Sequence, residues 1–259
     1  MELSIESVKA VQRLASGEPR TLVLGYPFNF NFDFLPATLL TFYQTCPSIV
    51  VSLLDMSPAD QLLALEARRI DLGFVGFRPR AERENAAVLA WERVARHDLV
   101  VVLPARHPLS KARAISVRDL KSLSFVALSE QSHPGSRDWL SGFCQQVGFT
   151  PRILQDVNVE AGIMNFVAEG LGVALVRAQI KRLAHPAVVF RPLATDMKAD
   201  YWIAWRRENR SKALSRYIEI VKREAFHGRE LGRPLCCQAN DDRGVTPGAL
   251  QASQVTVSV

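Results

Sequence analysis

Residues 21–36, TLVLGYPFNFNFDFLP, decide the fold of this chain. The apolar run that ends at Leu24, followed by Gly25, predicts a buried strand. A loop rich in phenylalanine and asparagine comes next, and an apolar helical pattern begins near Leu35. In an open α/β sheet small molecules bind beyond the carboxyl ends of the strands, so this loop is the first candidate for ligand contact.

The residues that follow repeat the alternation of strand and helix. The segments SIVVSLLD at 48–55 and IDLGFVGF at 70–77 are apolar and rich in β-branched side chains, which predicts two more strands. Between them Ser57 is a good N-cap and Pro58 suits a first helical turn. Three strands joined by two helices predict two right-handed crossovers and therefore a parallel sheet.

A second α/β unit is predicted from residue 97 onward. It contains apolar strand patterns at 97–104, 124–128 and 152–157 and a polar loop at 129–136, SEQSHPGS, that leads into a helix. A last strand and helix beyond residue 199 must return to one of the units. Two units joined by crossing strands predict two lobes with a cleft between them, the usual place for a small molecule.

Composition and charge exclude several classes of protein. The chain has 259 residues, 48% of them hydrophobic, which is enough for a core in each lobe. Its net charge is +6, but the basic residues are scattered, which favours a solvated surface over a nucleic-acid-binding helix. No long apolar run and no secretory signal pattern is present, so we expect a cytoplasmic protein without a membrane span.

Catalytic and metal-binding patterns are also missing from the sequence. The four cysteines show no CxxC spacing and no histidine cluster, so no metal is expected. His97, His107 and His133 lack the partners of a catalytic set and are predicted to be loop or surface residues. Asp71 and Glu160 are predicted to be structural, one in a strand and one at a helix N-terminus. We therefore expect neither an enzyme nor a cofactor.

Five segments together resemble a known family. In order along the chain they are TLVLGY at 21–26, FYQTCPSIVVSLLD at 42–55, LLALEARRIDLGFVG at 62–76, HDLVVVLPARHPL at 97–109 and NFVAEGLGVALV at 165–176. Each motif is common by itself. Their order and spacing over about residues 20–225 resemble the effector-binding region of LysR-type transcriptional regulators.

The resemblance implies an α/β fold similar to type 2 periplasmic binding proteins, with two Rossmann-like lobes around an interlobe cleft. It divides the chain into lobe I, residues 19–98 and 198–226, and lobe II, residues 99–197. Residues 1–18 would be the remnant of a linker helix. Residues 227–259 have no sustained period and are predicted to form a disordered tail.

The resemblance also implies a ligand pocket built from loops at the ends of the first three strands and from the loop at 129–136. The residues carried over are Phe28, Asn29, Ser57, Gly76, Ser129, Gln131, Pro134 and Ser136. Asn29 and Ser57 would be polar contacts to an anion, or, alternatively, a turn residue and a helix cap. Relatives that sense aromatic acids have Ser or Thr in the first loop and Arg near position 76. The phenylalanine-rich loop and Gly76 of this chain favour an aromatic or apolar effector instead.

The expected function is that of a small-molecule effector-sensing domain of a LysR-type regulator. Such regulators are homodimers or homotetramers in which the effector alters the arrangement of the oligomer and so transcription. The chain begins too late to include the family's winged helix-turn-helix, so it is expected to contact DNA only through that absent domain. A free-standing solute-binding protein is the alternative, and an enzyme on the same fold is a third possibility that fold alone does not separate.

Overall fold

The computed structural model describes residues 20–27, 34–81, 88–182 and 185–230. Within these ranges the strands are β1 (Arg20–Tyr26), β2 (Ile49–Asp55), β3 (Leu72–Gly76), β4 (Leu89–His97), β5 (Leu99–Pro104), β6 (Ile115–Ser116), β7 (Ser124–Leu128), β8 (Arg152–Val157), β9 (Ala174–Arg177), β10 (Val188–Ala194) and β11 (Ala199–Arg206). The α-helices are α1 (Phe34–Thr45), α2 (Pro58–Glu66), α3 (Ser136–Gln146), α4 (Glu160–Ala168) and α5 (Lys212–Glu230). Short 3₁₀ helices span Pro108–Lys111, Val117–Ser122 and Ala178–Arg182.

The first sheet, sheet I, has the strand order β2-β1-β3-β11-β4. β1 pairs in parallel with both β2 and β3, and Leu24 lies opposite Leu53 on one side and Leu72 on the other. The parallel crossovers predicted from residues 21–77 are therefore confirmed. β11 pairs antiparallel with β3 and with β4, so the chain leaves sheet I through β4 and returns to it through β11.

The remaining strands form a second layer, sheet II. It contains β6-β10-β5-β9 and the parallel pair β7-β8. A bridge between Phe125 and Val173 links the two groups, and the amide of Val173 donates to the carbonyl of Ser124 over 2.8 Å. A Cβ at Gly172 would lie 2.5 Å from that carbonyl oxygen, so the glycine allows the close approach of the two strands.

Helices cover both faces of sheet I and fix its core. α1 and α5 pack together on one face, where the rings of Phe42 and Tyr217 meet edge to face at 5.3 Å between centroids. α2 packs on the other face around Leu65, Ile70 and Val75.

The boundaries match the sequence patterns closely, with three differences. The strand predicted at 70–77 spans Leu72–Gly76, so Asp71, which is predicted to lie in a strand, precedes it. The strand predicted from residue 97 begins at Leu99, because Asp98 interrupts the passage from β4 to β5. α5 continues to Glu230, past the predicted end of globular patterning at residue 226. The predictions for residues 1–18 and 231–259 lie outside the described residues. No helix in the described part of the chain is long and apolar enough to cross a membrane.

Candidate functional site

A small cavity lies where sheet I and sheet II meet. Phe77, which follows β3, forms one wall, and the rest comes from β7, α3, α4 and β9 of the sheet II layer, including Trp139, Glu160 and Arg177. The cavity encloses about 30 Å³ of free volume. That is room for about two water molecules, so a ring-sized ligand enters only when the walls move apart.

Arg177, the last residue of β9, joins the two layers across this cavity. Its side chain is 10% exposed, and its guanidinium carbon lies 4.3 Å from the ring centroid of Phe77. The same carbon lies 5.2 Å from the ring centroid of Tyr201 on β11. A cation from sheet II therefore stacks on two aromatic rings of sheet I, an arrangement that stabilises a buried guanidinium.

Gly76, at the end of β3, leaves the space that this arrangement needs. Its φ is +81°, and a Cβ there would lie 3.2 Å from Cε2 of Tyr201 and 3.6 Å from Nη2 of Arg177. A larger residue would press on the ring of Tyr201, would lie in van der Waals contact with the guanidinium of Arg177, and would also be strained in its backbone. The predicted ligand residue Gly76 thus lies directly behind the guanidinium of Arg177.

The charge of Arg177 is only partly matched by its neighbours. Nη1 lies 3.8 Å from Oε1 of Glu160, while Nε and Nη2 have no hydrogen-bond partner among the described residues. Burial lowers the pKa of Arg177, and the carboxylate of Glu160 acts in the opposite direction. Arginine keeps its proton even in such surroundings, so the cavity contains a cation with two donors to spare.

Glu160 begins α4 at the edge of the same cavity. Its predicted position at a helix N-terminus is confirmed, but it also lines the cavity, which the sequence does not reveal. Burial raises the pKa of Glu160, and Arg177 lowers it. The preceding residue, Val159, provides no side-chain cap for α4. The N-terminal end of this helix dipole therefore lies next to the cavity.

The loop at 129–136 uses its own carboxylate to cap α3. Glu130 accepts hydrogen bonds from the amide of Gly135 at 2.6 Å and from the amide of Arg137 at 2.8 Å. The hydroxyl of Ser136 donates to the carbonyl of Leu128 at 3.2 Å. The N-terminus of α3 thus has an internal anion, which leaves Arg177 as the stronger candidate for binding an external one.

His133 is the residue whose surroundings differ most from the prediction. It lies in a loop, as expected, but is only 9% exposed. Its Nδ1 has no hydrogen-bond partner among the described residues. Burial and the positive charge of Arg177 lower the pKa of His133 to about 4, so the imidazole is neutral at neutral pH. The predicted loop position of His133 is therefore confirmed, and the residue is buried there rather than exposed at the surface.

Among the other predicted ligand residues that the structure describes, one lines the cavity. Ser136 lines it, whereas Ser129, Gln131 and Pro134 belong to the adjacent loop without forming its walls. The hydroxyl of Ser57 accepts from the amide of Asp60 at 3.1 Å and donates to Oδ2 of Asp60 at 2.7 Å, as a helix cap does. The predictions for Phe28 and Asn29 lie outside the described residues.

The most important side chain of the cavity, Arg177, is absent from the sequence-based set. A charged residue directly after the apolar run GVALV is the one local sign of its role, because it ends a buried strand at the edge of a sheet. Trp139 and Phe77 give no local sign at all, since apolar residues in those patterns usually belong to the core.

Residues 15–226 match the family described as LysR substrate binding domain. The chain belongs to this family. It is 26% identical over 216 residues to the HTH-type transcriptional regulator AlsR of Bacillus subtilis, a match that spans 83% of this chain and 70% of AlsR. The Hca operon transcriptional activator HcaR of Escherichia coli is 26% identical over 218 residues, which cover 84% of this chain and 72% of HcaR.

Solved structures show the same fold. The BenM effector binding domain with its effector benzoate superposes with a TM-score of 0.67 at 21% identity, covering 86% of this chain and 99% of that one. The effector binding domain of QuiR in complex with shikimate gives a TM-score of 0.69 at 19% identity, covering 80% of this chain and 97% of that one. The two mixed sheets are therefore those of a LysR effector-binding domain, which is similar to type 2 periplasmic binding proteins. The relatives are transcriptional regulators and not enzymes.

Proposed function

We propose that this domain senses a small molecule that binds in the cavity between sheet I and sheet II. The observation that carries this proposal is that both layers line the cavity, with Phe77 on one side and Trp139 and Arg177 on the other. A ligand that touches both layers binds one relative orientation of the lobes better than others, and so it changes their equilibrium.

A compact, ring-containing molecule suits the walls best. The rings of Phe77 and Trp139 lie 5.7 Å apart between centroids at an angle of 49°, and Leu140 and Ile163 add apolar surface. Benzoate and shikimate, which the BenM and QuiR domains bind, are both small ring compounds. Because the free volume is about 30 Å³, binding requires lobe I (19–98 and 198–226) and lobe II (99–197) to separate first.

The residues carried over from the family would form the mouth of this cavity. Ser136 and Gly76 already lie at or behind its walls. We expect Phe28 and Asn29 to cover the ligand from lobe I, with Ser57 nearby. Ser129, Gln131 and Pro134 would cover it from lobe II. An aromatic or apolar effector fits this composition.

Homo-oligomer formation is the second part of the proposal. Leu40 and Tyr43 on α1 are 61% and 46% exposed, and Val50 on the adjacent edge strand β2 is 48% exposed. Apolar side chains beside a strand that has no further pairing partner among the described residues are typical of a surface that another protein covers. A second copy of the chain is the occupant that a homodimer or homotetramer would supply.

A ligand screen with a cavity variant tests the proposal. Small ring compounds that raise the melting temperature of the chain are expected to bind Trp139→Leu at least about tenfold more weakly, a loss of about 1.4 kcal/mol. Trp91→Leu, which changes a tryptophan outside the cavity, should bind as the unchanged chain does. Analytical ultracentrifugation with and without ligand then shows whether the oligomer responds. Equal binding by both variants would contradict the cavity as the site, and binding without any change in the oligomer would indicate a solute-binding protein.

A further inference from the structure

We infer that the effector of this chain carries a carboxylate, that Nε and Nη2 of Arg177 bind this group side-on, and that Glu160 competes with it for the guanidinium. The inference deepens the proposed function and depends on it, because it concerns the same cavity. It names the chemical class of the effector and a residue that lowers its affinity.

The first step is the geometry of the two donors. Nε and Nη2 lie on the same edge of the guanidinium plane, and both are buried without a hydrogen-bond partner among the described residues. Two parallel N–H groups on one edge match the two oxygens of a carboxylate. In the closed arrangement the guanidinium is stacked on the ring of Phe77 at 4.3 Å. This contact sets the plane of the fork when the lobes close on a ligand.

The second step is the number of charges that the cavity accepts. Among the residues that line it, Arg177 is the one cation, and Glu160 already provides a negative charge. A phosphate would bring up to two more negative charges against this single cation, with apolar walls around them. A carboxylate brings one charge and takes up both donors of the fork. It is therefore the anion that fits.

The third step is the looseness of the existing pair. Nη1 of Arg177 and Oε1 of Glu160 are 3.8 Å apart, too far for a hydrogen bond, and the side chain of Glu160 is still 32% exposed. A second carboxylate on the same guanidinium would leave two like charges beside one cation. Burial already raises the pKa of Glu160, so this carboxylate is easily protonated. Protonation would remove its repulsion with the carboxylate of the effector.

Other titratable groups around the guanidinium do not replace Glu160 in this role. The pKa of His133 is about 4, so this imidazole is neutral at higher pH. Burial raises the pKa of the Tyr201 phenol above its ordinary value, so the phenol keeps its proton. Asp200 is held by Arg96 at 3.0 Å and lies 3.6 Å from Arg93. Effector binding should therefore take up a proton at Glu160 and become tighter as the pH falls from neutral toward the raised pKa of Glu160.

Titration calorimetry on the full chain tests the inference with matched acids and amides. The probes are benzoate with benzamide, and cyclohexanecarboxylate with cyclohexanecarboxamide. Each acid is expected to bind about tenfold or more tightly than its amide. Arg177→Lys keeps the positive charge but lacks the fork, and it should lose most of this preference.

A pair of glutamate variants tests the competition. Glu160→Gln should bind the acids about tenfold more tightly and should lose the proton uptake that titrations in buffers of different ionisation enthalpy reveal. Glu169→Gln makes the same change at the exposed C-terminal end of the same helix, α4, and should behave as the unchanged chain.

The outcomes separate the inference from the proposed function. If acids and amides bind equally and Trp139→Leu weakens both, the carboxylate is wrong while the cavity remains the effector site. If Glu160→Gln weakens acid binding or leaves it unchanged, competition by Glu160 is wrong. If no acid or amide binds at millimolar concentration, the inference is overturned. The proposed function is then tested separately, by whether a ring compound from the wider screen binds the unchanged chain and binds Trp139→Leu more weakly.

Discussion

The amide of Ala59 donates a hydrogen bond to the carbonyl oxygen of Ser132 over 3.1 Å. Ala59 lies in the first turn of α2, which packs on sheet I, and Ser132 lies in the loop between β7 and α3 of the sheet II layer. The bond satisfies an amide that a helix start would otherwise leave without a partner. It also fixes the loop beside the cavity to the opposite layer, so separation of the lobes must break it.

Gly135, in the same loop, lies against the backbone of Pro79, which follows β3 of sheet I. Substitution of Gly135 by alanine should disturb this contact and lower the stability of the fold. Its φ is +89°, and a Cβ there would lie 3.0 Å from Cα and N of Pro79, which are backbone atoms that cannot move aside easily. Gly148→Ala is the matched control, because its φ of +86° is similar and nothing lies within 4 Å of the added carbon. Both variants lose about 1 kcal/mol from backbone strain.

Gly135→Ala should lose about 1–3 kcal/mol more than the control, the usual cost of overpacking. The free energy of unfolding in urea measures both losses. Equal losses in the two variants would show that the backbone at Pro79 accommodates the added methyl group without loss of stability.

His133 should make the fold less stable in mild acid. Its pKa is about 4 in the folded chain and 6.5 in an unfolded one, so below pH 6.5 the unfolded state binds a proton that the folded state does not. Above pH 6.5 the residue has no effect on stability, and by pH 5 it should cost about 2 kcal/mol. Urea unfolding at pH 7 and pH 5 is expected to show a smaller decline for His133→Gln than for the unchanged chain. His107→Gln, which lies outside this cluster, should retain the full decline.

Local pattern predicts the strands of this fold well but not the cation of its cavity. The runs at 124–128 and 152–157 are bounded by turn residues, and the structure places β7 and β8 at those positions. Arg177 becomes the centre of the cavity because the chain returns through β11 and brings Tyr201 against it, a contact between different sheets. The periodicity of apolar residues predicts one helix or strand at a time. It does not predict which aromatic rings will contact an arginine at the end of a strand. Ser136 and Gly76 were accessible through the family pattern, which retains such tertiary information.

The two cysteines of the described chain should differ in reactivity. Cys144, in α3, is fully buried, and burial raises the pKa of its thiol to about 12, so almost no thiolate forms. Cys46 follows α1 and is partly exposed. Iodoacetamide at mildly alkaline pH should therefore alkylate Cys46 and leave Cys144 intact, as peptide mass spectrometry can determine. Both should react in urea, and alkylation of native Cys144 at the rate of Cys46 would mean that α3 opens readily.

Thr38 and Tyr217 connect α1 to α5 through a buried hydrogen bond whose direction the structure defines. Oγ1 of Thr38 lies 2.8 Å from the carbonyl oxygen of Leu35, to which its single proton is donated, and 3.1 Å from the hydroxyl of Tyr217. The phenol must therefore be the donor to Thr38.

Removing the acceptor should accordingly cost more than removing the donor. Thr38→Val leaves a buried phenol without a partner and should lower the free energy of unfolding by about 2 kcal/mol, whereas Tyr217→Phe should lower it by about 1 kcal/mol. The double variant no longer contains the unpaired phenol, so its loss should fall short of the sum of the two by about 1 kcal/mol. Urea unfolding of all four proteins measures this coupling. Strictly additive losses would show that the hydroxyl of Tyr217 is satisfied in another way.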